Sequence, residues 1–277
     1  MKIQDNNVKV VILAGGLGTR LEEETVSIPK PLVNVGEYPI LWHIMKIYSA
    51  CGFNDFIICL GYKGYLIKQY FANYFLHHSD VTFDFSSGEE KMVIHSRKAE
   101  PWRVTLVDTG LKTQTGGRIK RIESYIDGNT FMLSYGDTVS NINMRKLLEF
   151  HHKHGKAATL SAVQPPGKWG SVKLGNKGQV QSFIEKPVGD GACINGGFFV
   201  LNTSIFKYLT KADETVWEWD PLERLAQDGQ LMSYEHSGFW KCMDTLRNKN
   251  ELEQLWLEGN PPWRIWDEKK TKLNKTI

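Results

Sequence analysis

Long hydrophobic runs are missing from this sequence of 277 residues. No stretch approaches the ~20 consecutive apolar residues of a membrane-spanning helix. The run Val8 to Ala14 is broken by Lys9 and ends in glycines, so it does not read as the core of a signal peptide. An excess of one charge is missing too: 34 Lys and Arg stand against 31 Asp and Glu, a formal net charge of +3. So small and evenly spread a balance does not imply a nucleic-acid surface, and no nucleic-acid partner is expected. Basic residues gather only near the end, at Lys269, Lys270, Lys272 and Lys275, which read as a solvated tail. Cysteine is scarce. Cys51, Cys59, Cys193 and Cys242 include no Cys-x-x-Cys pair and no histidine at zinc-site spacing. Cys59 and Cys193 sit in or beside apolar runs, and the four are expected to be reduced core residues of a soluble, cytoplasmic protein. Low-complexity linkers and internal repeats are also absent.

The remainder is ordinary globular composition, with a hydrophobic fraction of 41% and a charged fraction of 23%. Val8–Leu13 is a short β-branched run that stops at Ala14-Gly15-Gly16, as a strand buried on both faces would. Helical spacing of Leu41, Ile44, Met45 and Tyr48 follows, closed by Gly52, and then a second strand over Asp55–Leu60. Ile67–Phe75 is again helix-like. The rhythm returns at the strand Phe131–Tyr135, the helix Arg145–His154 and the strand Ala158–Val163. Alternation in Val81–Phe85 and Met92–His95 reads as a hairpin. This order predicts an α/β fold: a Rossmann-like, mostly parallel sheet flanked by helices, with small antiparallel additions. Apolar strands continue on both sides of Pro165-Pro166-Gly167, so residues 1–277 read as one composite domain.

The strongest chemical signal is Leu13-Ala14-Gly15-Gly16-Leu17-Gly18-Thr19-Arg20-Leu21, directly after the first strand. Glycines without Cβ atoms let backbone N–H groups approach an anion, and a following helix N-terminus would add its positive end. Arg20 supplies a forked cation for phosphate oxygens, and Lys30, in Pro29-Lys30-Pro31, supplies a second charge. The loop is not a dinucleotide fingerprint, because Leu21 stands where the third glycine counted from Gly16 would be. It is not a Walker loop either, since the Gly-Lys pairs continue with Ala157 and Trp169. A bare structural glycine turn is the bland alternative; the ordered Thr19-Arg20 and Lys30 favour phosphate. Asp137 follows a buried strand at its end, where open parallel sheets bind ligands. By itself, however, an aspartate there is most often a turn or cap residue, and Asp108 and Asp127 keep that reading. The histidines His77, His78, His151, His152 and His154 lack ligand partners, with His77-His78 read as a solvated turn, and Trp256, Trp263 and Trp266 read as packing anchors.

Gly-Gly-x-Gly-Thr-Arg-Leu with a downstream Pro-Lys-Pro resembles the sugar-phosphate nucleotidyltransferase family. Further matches point to its branch that joins CTP to glucose-1-phosphate. They include Pro39–Met45, Phe71–Leu76, Val104–Gly110, Thr115-Gly116-Gly117-Arg118, Ile194–Val200 and Met243–Arg247. The resemblance implies an Mg²⁺-dependent transfer that gives CDP-glucose and pyrophosphate. It places Leu13, Ala14, Gly15, Gly16, Gly18, Thr19 and Arg20 on the nucleotide, together with a loop at Thr115, Gly116 and Arg118. Arg20, Lys30 and Lys186 become the catalytic cations, and Asp137 and Asp244 the Mg²⁺ ligands. Tyr135, Gly136, Glu185, Lys186, Asn195 and Gly196 become the sugar-phosphate pocket. Residues 1–140 would then carry mainly the nucleotide and residues 141–277 mainly the sugar phosphate. Homo-oligomers are expected from the same resemblance. The chain departs from the branch at Asn34, Glu37, Thr138, Asn141 and Asn143, which bears on sugar choice. On the residues alone the base stays open between cytidine, uridine and thymidine, and a nucleotide-sugar-binding relative without turnover stays possible in principle.

Overall fold

The computed structural model describes residues 8–86, 91–96, 99–165, 171–174, 179–184 and 193–267. Every residue of the first strand, β1 (Val10–Ala14), is buried. Val10, Ile12 and Ala14 face one hydrophobic cluster, while Val11 and Leu13 face a second. A strand with two buried faces needs a layer on each side, which is why its sequence is apolar throughout rather than alternating.

In chain order β1 leads to a short helix α1 (Glu22–Thr25), a hairpin of β2 (Asn34–Val35) and β3 (Tyr38–Pro39), then α2 (Ile40–Ala50) and β4 (Asp55–Leu60). Helices α3 (Gly64–Ala72) and α4 (Tyr74–His77) precede a second hairpin, β5 (Val81–Asp84) with β6 (Lys91–Ile94). There follow β7 (Arg103–Asp108), α5 (Thr115–Arg121), β8 (Thr130–Tyr135), β9 (Thr138–Ser140) and α6 (Met144–His154). The chain continues through β10 (Ala158–Val163), β11 (Ser171–Leu174), β12 (Val180–Ile184) and β13 (Ile194–Asn202). The last elements are α7 (Asp220–Gln227), β14 (Leu231–His236), β15 (Trp240–Cys242) and α8 (Leu246–Leu257).

Seven strands form one sheet in the order β14-β10-β13-β8-β1-β4-β7. All pairings are parallel except those of β13, which runs antiparallel to β8 and β10. The expected α/β class and the small antiparallel additions are therefore present. Helix α2 buries Ile40, Leu41, Ile44, Met45, Ile47 and Tyr48 against one face of the sheet. Ile119 of α5 and Leu222 and Leu225 of α7 cover the other. The C-terminal ends of β1, β4, β7, β8 and β10 and the start of β13 meet at one edge, where such sheets bind ligands. Among the described residues no helix is long and apolar enough to cross a membrane.

The C-terminal tryptophans act as packing anchors. Trp256, Trp263 and Trp266 surround the buried His43 at ring-centroid distances of 4.7, 6.0 and 6.3 Å. His151 and His154 both meet the hydroxyl of Thr159, at 2.8 and 2.7 Å. Two expectations need correction. His78 is half-buried rather than solvated, with its ring 4.4 Å from that of Tyr74, because α4 returns it to an aromatic cluster. Of the cysteines, which are free, only Cys59 is buried, and Cys193 is exposed. Cys193 precedes the first residue of β13, whose Ile194 is itself exposed, so its apolar neighbour did not carry it into the core. The Lys269–Lys275 tail lies outside the described residues.

Candidate active site

The glycine loop leaves the sheet where β1 ends. Gly15 lies so close to Arg118 that a Cβ would collide with the guanidinium, whereas a Cβ on Gly16 would meet nothing within 4 Å. One glycine therefore serves packing and the next leaves open space for a ligand. Gly18 adopts φ +70, the left-handed region that favours glycine. No long helix follows: Thr19–Leu21 is a single 3-10 turn and α1 has four residues. The helix dipole expected at this loop is therefore not supplied, since too few peptide units are aligned.

Arg118 explains how the loop is held. Its Nη1 donates to the carbonyls of Leu60 (2.9 Å) and Gly110 (2.7 Å) and to the Thr109 hydroxyl (2.8 Å). Its Nη2 donates to the carbonyls of Gly15 (3.0 Å) and Leu111 (3.4 Å). A side chain expected on the nucleotide thus ties together the ends of β1, β4 and β7, while still bordering the cavity. Thr115 and Gly116 also differ from expectation in form, since they open helix α5 rather than a loop. Gly116 is required there because a Cβ would stand 2.5 Å from the Thr215 methyl.

Charge concentrates where β8 ends. Lys30 Nζ lies 2.5 Å from Asp137 Oδ2 and 2.8 Å from Asp244 Oδ1, and Arg20 Nη1 lies 2.9 Å from Asp244 Oδ2. Lys30 is carried by a 3-10 turn that begins after Pro29 and contains Pro31, so its backbone is stiff. The two aspartates meet because β9 pairs with β15, placing Thr138 opposite Cys242, and Met243 N–H donates to the Asp137 carbonyl at 2.8 Å. Burial pulls the Lys30 pKa down, but the charges and hydrogen bonds of Asp137 and Asp244 outweigh it and hold the ammonium above its ordinary range. Burial likewise favours a protonated Asp244, yet Lys30 and Arg20 overcome it and keep the carboxyl below its usual range. Cys242, half-buried in this wall, is pushed up to about 11 by burial and the neighbouring carboxylates, so it stays a thiol.

A second polar chain crosses the other side of the edge. Asn195 Nδ2 donates to the Tyr135 hydroxyl (3.1 Å), which donates to Glu218 Oε1 (2.6 Å). Thr115 Oγ1 donates to Glu218 Oε2 at 2.6 Å. Burial, reinforced by the Glu218 charge, raises the Tyr135 pKa and keeps it a phenol. Gly136 has no room for a side chain, since a Cβ would stand 2.6 Å from the Leu13 carbonyl oxygen. Gly196 is similar, with the Ser161 hydroxyl at 2.6 Å. Its carbonyl accepts from Trp240 Nε1 at 2.7 Å.

These groups line one cavity of about 760 Å³, a size that suits a small-molecule site. It brings together Leu13, Ala14, Gly15, Gly16, Gly18, Thr19, Arg20, Lys30, Thr115, Arg118, Tyr135, Gly136, Asp137, Asn195, Gly196 and Asp244. Gly116 stays behind the wall, and Glu185 and Lys186 lie outside the described residues. Glu218, Trp240, Cys242 and Gln114 line the cavity without having been singled out in the sequence. Only Glu218 carried a signal, an acidic side chain between Trp217 and Trp219. Among the described residues no three His, Cys, Asp or Glu side chains converge as a metal cage. Asp137 and Asp244 nevertheless offer hard oxygen donors of the kind that hold Mg²⁺ when phosphates complete its shell.

Residues 9–245 match the family described as nucleotidyl transferase. The chain is 57% identical over 261 residues to glucose-1-phosphate cytidylyltransferase of Salmonella typhimurium, covering 94% of this chain and 100% of that protein. It is 45% identical over 259 residues to a Bacillus subtilis protein named probable glucose-1-phosphate cytidylyltransferase, again covering 94% and 100%. The fold is similar to the crystal structure of HddC from Yersinia pseudotuberculosis, with a TM-score of 0.65 over 90% of this chain and 99% of that one at 24% identity. With its glycine loop, its cation-bridged aspartates and this match along most of its length, the chain belongs to the nucleotidyl transferase family.

Proposed function

We propose that this protein transfers a cytidylyl group from CTP to α-D-glucose-1-phosphate, forming CDP-glucose and releasing pyrophosphate. The observation that carries the reading is Lys30 set between Asp137 and Asp244 in the cavity beyond the glycine loop. The full-length identity to the Salmonella cytidylyltransferase supports the choice of both substrates.

The reaction needs alignment and charge neutralisation more than acid–base chemistry. The phosphate of the sugar is already an anion near neutral pH, because a phosphate monoester has a second pKa of ~6. It attacks the α-phosphorus of the nucleotide in line, and the bond to pyrophosphate breaks. Two phosphates brought together repel by ~4 kcal/mol per pair of unit charges at ~4 Å and an effective dielectric of ~20. Arg20 and Lys30 offset that repulsion most where charge builds up in the transition state, and Lys186 is assigned the same role on the sugar phosphate. Mg²⁺, held by Asp137 and Asp244, would neutralise phosphate charge. Glu185, Asn195 and Gly196 are assigned to the sugar.

The departures at Thr138 and Asn143 leave the carboxylate pair intact. Thr138 Oγ1 donates to Asp137 Oδ1 at 3.0 Å, and Asn143 caps α6 by accepting from Lys146 N–H at 3.0 Å. A homo-oligomer in a reducing, cytoplasmic setting belongs to the same proposal; light scattering tests the assembly.

The direct test is pyrophosphate release from purified protein with CTP, UTP or dTTP against glucose-1-phosphate, with Mg²⁺ and with EDTA. Release with CTP, lost in EDTA and restored by Mg²⁺, is the expected result. Release with UTP or dTTP instead would replace the base, and persistence in EDTA would remove the metal.

A further inference from the structure

Building on that reading, we propose that Glu218 is a specificity-determining residue whose carboxylate accepts a hydrogen bond from a donor on the uncharged part of a substrate. Glu218 is half-buried in the cavity wall, between the fully buried Trp217 and Trp219, which is 68% exposed. Tyr135 and Thr115 each donate to one of its oxygens at 2.6 Å. Neither hydroxyl is free to reverse. The Tyr135 oxygen already accepts from Asn195 Nδ2 at 3.1 Å, and Thr115 Oγ1 accepts from Trp217 N–H at 2.9 Å. Each hydroxyl has one proton, so both protons are aimed at Glu218. A carboxylate has roughly four acceptor positions. Tyr135 and Thr115 supply a donor to each oxygen and leave capacity on a residue that borders the cavity.

Charge decides which part of a substrate can use that capacity. A phosphate beside the carboxylate is repelled by its like charge, so phosphates belong with Arg20 and Lys30 instead. What Glu218 can take is an uncharged O–H or N–H. Two sources offer that chemistry: a hydroxyl of the hexose, or the exocyclic amine of cytosine. Uracil and thymine present a carbonyl at the corresponding place, which would set acceptor against acceptor. Removing the partner of a polar group built into a site is costly, and this is how such sites discriminate.

The test compares wild type with Glu218→Gln, which keeps the shape but turns one acceptor into a donor. Steady-state kinetics would use CTP and UTP with glucose-1-phosphate, and deoxy analogues of glucose-1-phosphate with CTP. Titration calorimetry of each ligand gives Kd without requiring turnover. In Glu218→Gln, kcat/KM for the substrate bearing the donor should fall roughly 10- to 100-fold, the size of a lost charge-assisted hydrogen bond. A hexose donor is identified when one deoxy analogue loses as much in wild type and loses nothing further in the variant. A base donor is identified when the preference for CTP over UTP narrows. Equal losses with every ligand, no loss with any, or a change in thermal stability alone would overturn the proposal. Should Glu218→Gln not fold, wild type still decides: if no deoxy analogue and no base change costs more than about threefold, no such reader exists. Wild type silent with CTP and glucose-1-phosphate, yet binding both with the Glu218-dependent difference, overturns the preceding reading and keeps this one.

Discussion

Lys30 and Asp137 are 107 positions apart in the chain and 2.5 Å apart in the fold. The contact joins a proline-flanked turn to the end of a buried strand, and Asp244 closes it from a third segment at 2.8 Å. Removing one member of such a cluster leaves the others under-compensated, so its energetics are asymmetric.

Lys30→Met keeps the stem and deletes the charge. Its kcat/KM should fall about a hundredfold or more, the loss seen when a group stabilising transition-state charge is removed. The melting temperature should fall as well, because Asp137 and Asp244 then face each other without the ammonium. Pyrophosphate-release kinetics and calorimetry check both, and near-native turnover would take Lys30 out of the site.

Arg118→Lys should act through the loop. Lysine cannot reproduce a fork that reaches the carbonyls of Gly15, Leu60 and Gly110 together. Urea unfolding should show a loss of about 2–4 kcal/mol, and the nucleotide KM should rise because Gly15 is no longer held. An unchanged urea midpoint would contradict this account.

Two neighbouring glycine sites should respond in opposite ways to alanine. Gly136→Ala puts a Cβ 2.6 Å from the Leu13 carbonyl, and should cost about 1–3 kcal/mol together with turnover. Gly16→Ala meets nothing within 4 Å, so stability should stay within about 0.5 kcal/mol while nucleotide affinity falls. Thermal melts and nucleotide titrations of both variants separate packing from ligand approach.

Acid should unfold the protein partly through His43. Its Nε2 lies 2.9 Å from the Val35 carbonyl and its Nδ1 accepts from Trp263 Nε1 at 3.3 Å, so the ring must be neutral. Burial, with a smaller push from Arg264, lowers its pKa to about 4 against an ordinary value of 6.5. The unfolded chain therefore binds a proton that the native state refuses between those values. The contribution is complete above pH 6.5 and disappears as pH falls towards 4, a change of about 3 kcal/mol. Urea midpoints at pH 7 and pH 4.5 measure it, and His43→Gln should flatten the difference.

Most of the fold was legible in the sequence. The strands Asp55–Leu60 and Ala158–Val163 were readable to the residue, because apolar runs between glycine and turn residues admit few other structures. The glycine loop, Arg20 and Lys30 stood out in the sequence for the same local reason, and the structure brings them to one cavity. Other features carried no local mark. Cys193 follows an alanine and precedes an isoleucine yet is exposed, and nothing near Arg118 in the chain shows that it donates to the carbonyls of Gly15 and Leu60.

Sequence by itself thus determined the elements and the parallel α/β order, since backbone preferences and hydrophobic period act over a few residues. Tertiary structure alone decided what meets what. It set β9 against β15 so that Asp137 and Asp244 share Lys30, and it brought Glu218 beside Tyr135 and Thr115. Those contacts join segments separated by 83 to 214 positions, and they depend on sheet order and side-chain direction, which short-range pattern does not encode.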